Sequence, residues 1–328
     1  MASGIPTGQV TGIGSLPHRD PAAAIGFVAE WSPAIPFWPQ LPQRAAEESM
    51  IAQMLAPVRD LLERYGPARF IIAPGRLGEF LQGLEEVEAC LDTVGAAGFF
   101  AFEHACHEAH FPTAAAFKGQ ITGPITLAHC LFIEDRSLVD VPESHVVLAR
   151  YLCRLGRWQI ERLRQFGLPV IIFVDEPTLG LRSVAPSLLA GLGLLVGTLQ
   201  RMGAQVGIHC CAAESPATLC NLRPDIMSFD GYHGLEMFLD HAQVRRFVGE
   251  GGWLALGLVP TFAPAAGYRA TDMLIRLAVA AGEDLFAQLA GRCLVTATCG
   301  VELLKLTDAA ATFRGCHELS ARYCHVKF

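Results

Sequence analysis

Short apolar runs recur along the chain, separated by longer stretches in which apolar positions return every three or four residues. The clearest runs are Gln9–Ile13, Arg69–Pro74, Phe117–Thr122, Pro169–Val174, Gln205–His209, Asp225–Phe229, Trp253–Val259 and Cys293–Thr298. A ninth, Ala34–Trp38, stops at Pro39. They are continuously apolar rather than alternating, the pattern of strands buried on both faces of a parallel sheet. The helical spacing is plainest over Ser144–Phe166, Pro186–Met202, Leu235–Val248 and Ala270–Leu289. Gly and Pro punctuate the ends, and no low-complexity linker divides the chain. About eight strand–helix units in uninterrupted succession predict an α/β fold, a TIM (β/α)8 barrel forming one domain over 1–328. A dinucleotide-binding sheet would want G-x-G-x-x-G after the first strand, but "GIGSLPH" lacks the third glycine and runs into Pro17.

Composition narrows the partners. Of 328 residues 52% are hydrophobic and 17% charged, enough for one large core. The net charge of −7, with no run of Lys or Arg, argues against nucleic acid or an anionic membrane. The N-terminus has no basic start followed by an apolar stretch, and the most apolar internal segment, Ser187–Leu199, is too short to span a bilayer. Eleven cysteines, odd in number and without framework spacing, read as reduced thiols. A cytoplasmic protein is expected.

In such a barrel the C-terminal strand ends build the active site. Those ends carry Gly14-Ser15, Thr122-Gly123-Pro124, Asp175-Glu176, His209-Cys210-Cys211, Asp230, Pro260-Thr261 and Cys299-Gly300. Side chains alternate along an extended segment, so His209 and Cys211 share a side while Cys210 faces away. Taken alone, "HCC" reads as small core residues. With Asp230 and Cys299 at neighbouring strand ends it reads as a metal site, its N, S and O donors suited to zinc. Of the adjacent carboxylates only one can enter the cavity, and Asp175 continues the inward phase; the competing reading is a helix N-terminal charge. His18 has both a catalytic and a structural reading. His104, His107 and His110 read as a solvated helix, because no strand end accompanies them.

The stretches "TGIGSLPH", "IPFWPQLP", "KGQITGPITL", "VDEPTL", "IHCCA" and the late "CG" together resemble the catalytic domain of cobalamin-independent methionine synthases. In particular they resemble the short single-barrel relatives within the uroporphyrinogen decarboxylase/methionine synthase-like superfamily. The resemblance runs from Thr11 to about Leu304. It implies a zinc ion that activates a small, homocysteine-like thiol for methyl transfer, held by His209, Cys211 and Cys299, with Asp230 where the synthases have a ligating Glu. It also implies that Gly14, Ser15 and Asp175 hold the acceptor. Two departures stand out. "LGLVPTFAP" lacks the His that helps the synthases protonate departing folate, and Arg44 falls where they hold the substrate amine with a Glu, with Glu47 and Glu48 nearby. The expectation is therefore a zinc-dependent S-methyltransferase using a methyl-corrinoid or corrinoid-protein donor. The alternatives are a metal-free decarboxylase-like enzyme and a non-catalytic zinc- or corrinoid-binding module.

Overall fold

The computed structural model describes residues 4–64, 66, 68–180, 184–211, 216–262 and 267–325. Six strands form the main sheet: β1 (Phe117–Thr122), β2 (Val170–Asp175), β3 (Gln205–Cys210), β4 (Ile226–Asp230), β5 (Trp253–Val259) and β6 (Cys293–Ala297). They lie side by side in chain order and all pair in parallel. Every residue of β1, β2, β5 and β6 is buried, which is why their sequences do not alternate.

Helices return the chain between strands: Pro124–Cys130 and Pro142–Arg164 after β1, Pro186–Arg201 after β2, and Ala270–Leu289 after β5. Pro142 and Pro186 each sit in the first turn, where a missing N–H costs nothing. The helix predicted over Leu235–Val248 is two helices, Gly231–Asp240 and Ala242–Gly249. Extended His241 separates them, and its ring accepts a hydrogen bond from the Gln243 N–H.

The regular sheet is a six-stranded half-barrel, where eight strands were expected. Phe70–Ile72 belongs to a separate four-stranded sheet with Leu62–Arg64, Leu131–Ile133 and Arg136–Ser137. The segments around Gln9–Ile13 and Ala34–Trp38 lie between the free edges of β6 and β1, paired through isolated bridges rather than ladders: Val10 to Val295, Ser15 to Gln40, and Phe37 to Lys118. Pro36 and Pro39 have no N–H to give a ladder. Gly12 packs so tightly that a Cβ there would meet the Phe37 ring at 2.3 Å.

A side chain replaces the missing ladder bonds. Lys118, fully buried in β1, donates from Nζ to the Ile13 carbonyl at 2.6 Å and lies 4.4 Å from the centre of the Phe173 ring. Burial pulls its ammonium down to about 7, and the nearby Asp175 carboxylate opposes that. Among the described residues no helix is long and apolar enough to cross a membrane.

Candidate metal centre

The strand register aligns the polar ends. Thr122 pairs with Asp175, Asp175 with His209, and His209 with Ser228, across β1 to β4. β3 stops at Cys210, so Cys211 is the first residue free to turn towards β6, where Cys299 follows two residues after the strand. The ligand atoms of His209, Cys211 and Cys299 all lie within 4.8 Å of one another.

The environment of each donor suits a cation. His209 is 3% exposed; its Nδ1 meets the Ser228 hydroxyl at 2.9 Å, while its buried Nε2 has no hydrogen-bond partner. A hydrogen bond to one ring nitrogen fixes the orientation of the other, the arrangement that orients a ligating imidazole. The Cys299 thiol and the His209 ring hold the Cys211 thiol far below its ordinary value, to about 4, and push Cys299 up in turn. The two sulfurs are hydrogen-bonded to each other, which favours the ionised form of Cys211 and disfavours that of Cys299. Three N and S donors within 4.8 Å of one another fit zinc, which takes such ligands tetrahedrally, with one position beyond these three. Cys210 lies on the opposite face, in the hydrophobic core, and its sulfur contacts the Leu179 carbonyl at 3.0 Å.

Asp230 is not in this group. Its carboxylate caps the Gly231–Asp240 helix, accepting from the His233 N–H at 3.0 Å and meeting the His233 Nδ1 at 2.7 Å. An Asp at the last strand position, followed directly by a helix, satisfies the orphan N–H groups of that helix first. The expectation of Asp230 as fourth ligand is corrected accordingly.

The adjacent carboxylates separate cleanly. Glu176 turns away and accepts from the Ile125 N–H (2.9 Å), the Thr126 N–H (2.7 Å) and the Thr126 hydroxyl (2.7 Å). Asp175, 5% exposed, keeps Oδ1 without a partner. Burial raises the Asp175 carboxyl to about 6, against the pull of His209 and Lys118. Glu176→Ala is expected to destabilise the fold by roughly 2–4 kcal/mol, because it strands two buried N–H donors. A denaturant titration checks this; an unchanged midpoint would remove Glu176 from the structural frame.

Gly14 and Ser15 lie against the Cys299 turn. The Ser15 carbonyl accepts from the Val301 N–H at 3.0 Å, and its hydroxyl meets Gln40 Oε1 at 3.2 Å. A Cβ on Gly14 would sit 2.8 Å from that same Gln40 oxygen, so no larger residue fits without displacing it. A narrow crevice separates this segment from Ala297, Cys299, Gly300 and Val301. Arg44 pairs with buried Glu48 at 2.8 Å, and Glu48 also accepts from the Ala97 N–H. The other histidines stay outside: His18 packs on the Phe27 ring, and His104 and His110 pair with Glu108.

Three residues escape the sequence reading. Lys118 is a lone cation in an apolar run, a signal that was visible. Ser228 becomes legible only once the register sets it beside His209. Glu302, three positions after Cys299, has a buried Oε2 without a partner; burial raises its carboxyl.

No protein-family model matches the sequence, and no curated protein is detectably similar to it. Among solved structures, a methyltransferase from Methanosarcina mazei superposes with a TM-score of 0.59 at 13% identity, covering 97% of this chain and 93% of that one. A B12-independent methionine synthase from Shewanella sp. W3-18-1, in complex with selenomethionine, matches with a TM-score of 0.48 at 15% identity, over 63% of this chain. The match takes in 62% of that synthase's chain. The long superposition on the M. mazei protein shows that the two share a fold.

Proposed function

We propose that the chain is a zinc-dependent S-methyltransferase acting on a small, homocysteine-like thiol. The observation that carries this reading is that the donor atoms of His209, Cys211 and Cys299 gather within 4.8 Å of one another at the C-terminal end of the sheet. That a protein of the same fold is called a methyltransferase is consistent with it. Bound there, zinc supplies the positive charge that keeps an otherwise protonated thiol, with an ordinary pKa of about 8.5, ionised at neutral pH.

The chain's own residues do the rest. His209, Cys211 and Cys299 hold the ion, and Ser228 orients the His209 ring through Nδ1. Asp175 faces the same space with an unsatisfied oxygen, placed to accept from the acceptor's polar groups. Gly14 and Ser15 form the wall opposite. For the decarboxylase-like alternative, Arg44 is paired with Glu48 rather than free to meet a substrate carboxylate.

The test is metal content followed by cobalt substitution. About one zinc per chain is expected, and the visible spectrum of the cobalt form should change on adding homocysteine. A metal-free purified protein that also refuses cobalt would sink the reading. Asp175→Asn should keep the metal and raise the acceptor KM about tenfold or more, since an amide only partly replaces a charge-assisted hydrogen bond. Unchanged acceptor kinetics would return Asp175 to a structural role.

A further inference from the structure

We propose that the chain has a second ligand site, for a phosphate-bearing small molecule of nucleotide size, in a cavity at the end of the sheet opposite the metal centre. It stands apart from the methyl-transfer reading and does not depend on it.

The cavity lies where the strands begin. Gln205 and Trp253, the first residues of β3 and β5, line it, as do Asp225 and Arg292, which directly precede β4 and β6. β3 starts there and ends beside His209, so the two sites occupy opposite ends of the same strand. The cavity measures about 1060 Å³, at the upper end for small-molecule sites and far more than one inorganic ion fills. Ile5, Phe247 and Trp253 supply its apolar lining. Gly251, also in the lining, has a φ of +108°, and a Cβ there would meet nothing within 4 Å. The loop before β5 therefore leaves space instead of filling it.

Three cations line it, Arg223, Arg246 and Arg292, against two carboxylates, Asp225 and Glu250. That reverses the balance of the whole chain, which has 32 acidic and 25 basic side chains. Asp225 is committed to the fold, accepting from the Val206 N–H at 2.8 Å and from Gln200 Nε2 at 3.1 Å. Glu250 follows Arg246 by four residues, yet the two form no ion pair. Among the described residues, none of the three arginines pairs with a carboxylate. Arg292 is held in place by donating from Nη1 to the Val248 carbonyl at 3.1 Å. Arg223 and Arg246 are exposed and can close on a ligand. A guanidinium engages two oxygens at once, so one arginine saturates a carboxylate, whereas phosphate oxygens can meet several. Three unpaired arginines around one cavity therefore match phosphate better than carboxylate, and the volume leaves room for the organic part.

Isothermal titration of the full-length chain at physiological salt, with inorganic phosphate, pyrophosphate, ADP and citrate as probes, tests this. ADP is expected to bind once per chain and at least about tenfold more tightly than inorganic phosphate, with pyrophosphate between them. The double variant Arg223→Gln, Arg246→Gln should weaken ADP at least about tenfold. Both positions are exposed, so its melting temperature without ligand should match that of wild type. Arg150→Gln with Arg157→Gln removes the same charge from exposed positions outside the cavity and should leave binding within about twofold. Absence of saturable binding by both ADP and pyrophosphate would overturn the site. Equal weakening in the two double variants would overturn it too, by reducing the effect to net charge. Citrate binding as tightly as pyrophosphate would overturn the preference for phosphate. ADP binding no tighter than pyrophosphate would overturn the nucleotide size of the ligand.

Discussion

Cys211→Ser and Cys299→Ser should each emerge from purification with less than about a tenth of the wild-type zinc, and methyl transfer should fall by at least about a hundredfold. Serine keeps the shape but not the chemistry, because its hydroxyl stays protonated at neutral pH and is a poor zinc ligand. The two sulfurs also depend on each other. Removing either thiol loses one donor outright and takes from the other its hydrogen-bond partner. Cys210→Ala is the control, since its sulfur lies in the core against the Leu179 carbonyl. It should lose a little stability and keep its metal. Metal analysis after gel filtration, with a chelator competition for affinity, reads all three variants. Stoichiometric zinc in both serine variants would show that the ion, if bound, sits elsewhere.

Much of this site was legible because strand geometry is strict. Alternation along an extended segment separates Cys211 from Cys210, and the succession of strand ends points to Cys299 and Asp175. Asp230 was misread because sequence order gives a residue's place at a strand end but not the competition for its oxygens. The helix beginning at Gly231 takes them. The barrel was over-counted for a related reason. Phe70–Ile72 is as apolar as a main-sheet strand, and composition cannot say which sheet will take it. The second N-terminal segment carries strand-like side chains on a backbone that Pro36 and Pro39 keep from regular pairing.

Methylation from methylcobalamin or a methylated corrinoid protein is expected to be at least about a hundredfold faster than from methyltetrahydrofolate. The folate nitrogen is a poor leaving group unless it is protonated, and a positioned acid contributes about 10²–10⁴ to such a step. A methyl group on cobalt leaves without any proton transfer. Of the residues directly after β5, Pro260 has no acidic proton to give, and the Thr261 hydroxyl is occupied with that of Thr298 at 3.2 Å. His18 is turned against Phe27 with its Nδ1 buried. An imidazole beside Phe262 is that of His233, held by Asp230 and 5.0 Å from the Phe262 ring. Its side chain is 58% exposed, so water competes for its proton, and the Asp230 bond fixes only one of its nitrogens. Donor competition, with each donor alone and zinc present, decides the matter. Robust turnover with methyltetrahydrofolate as sole donor would overturn the corrinoid preference. His233→Ala would then show whether this imidazole is the acid, because its removal should abolish folate-dependent transfer and leave the corrinoid reaction intact.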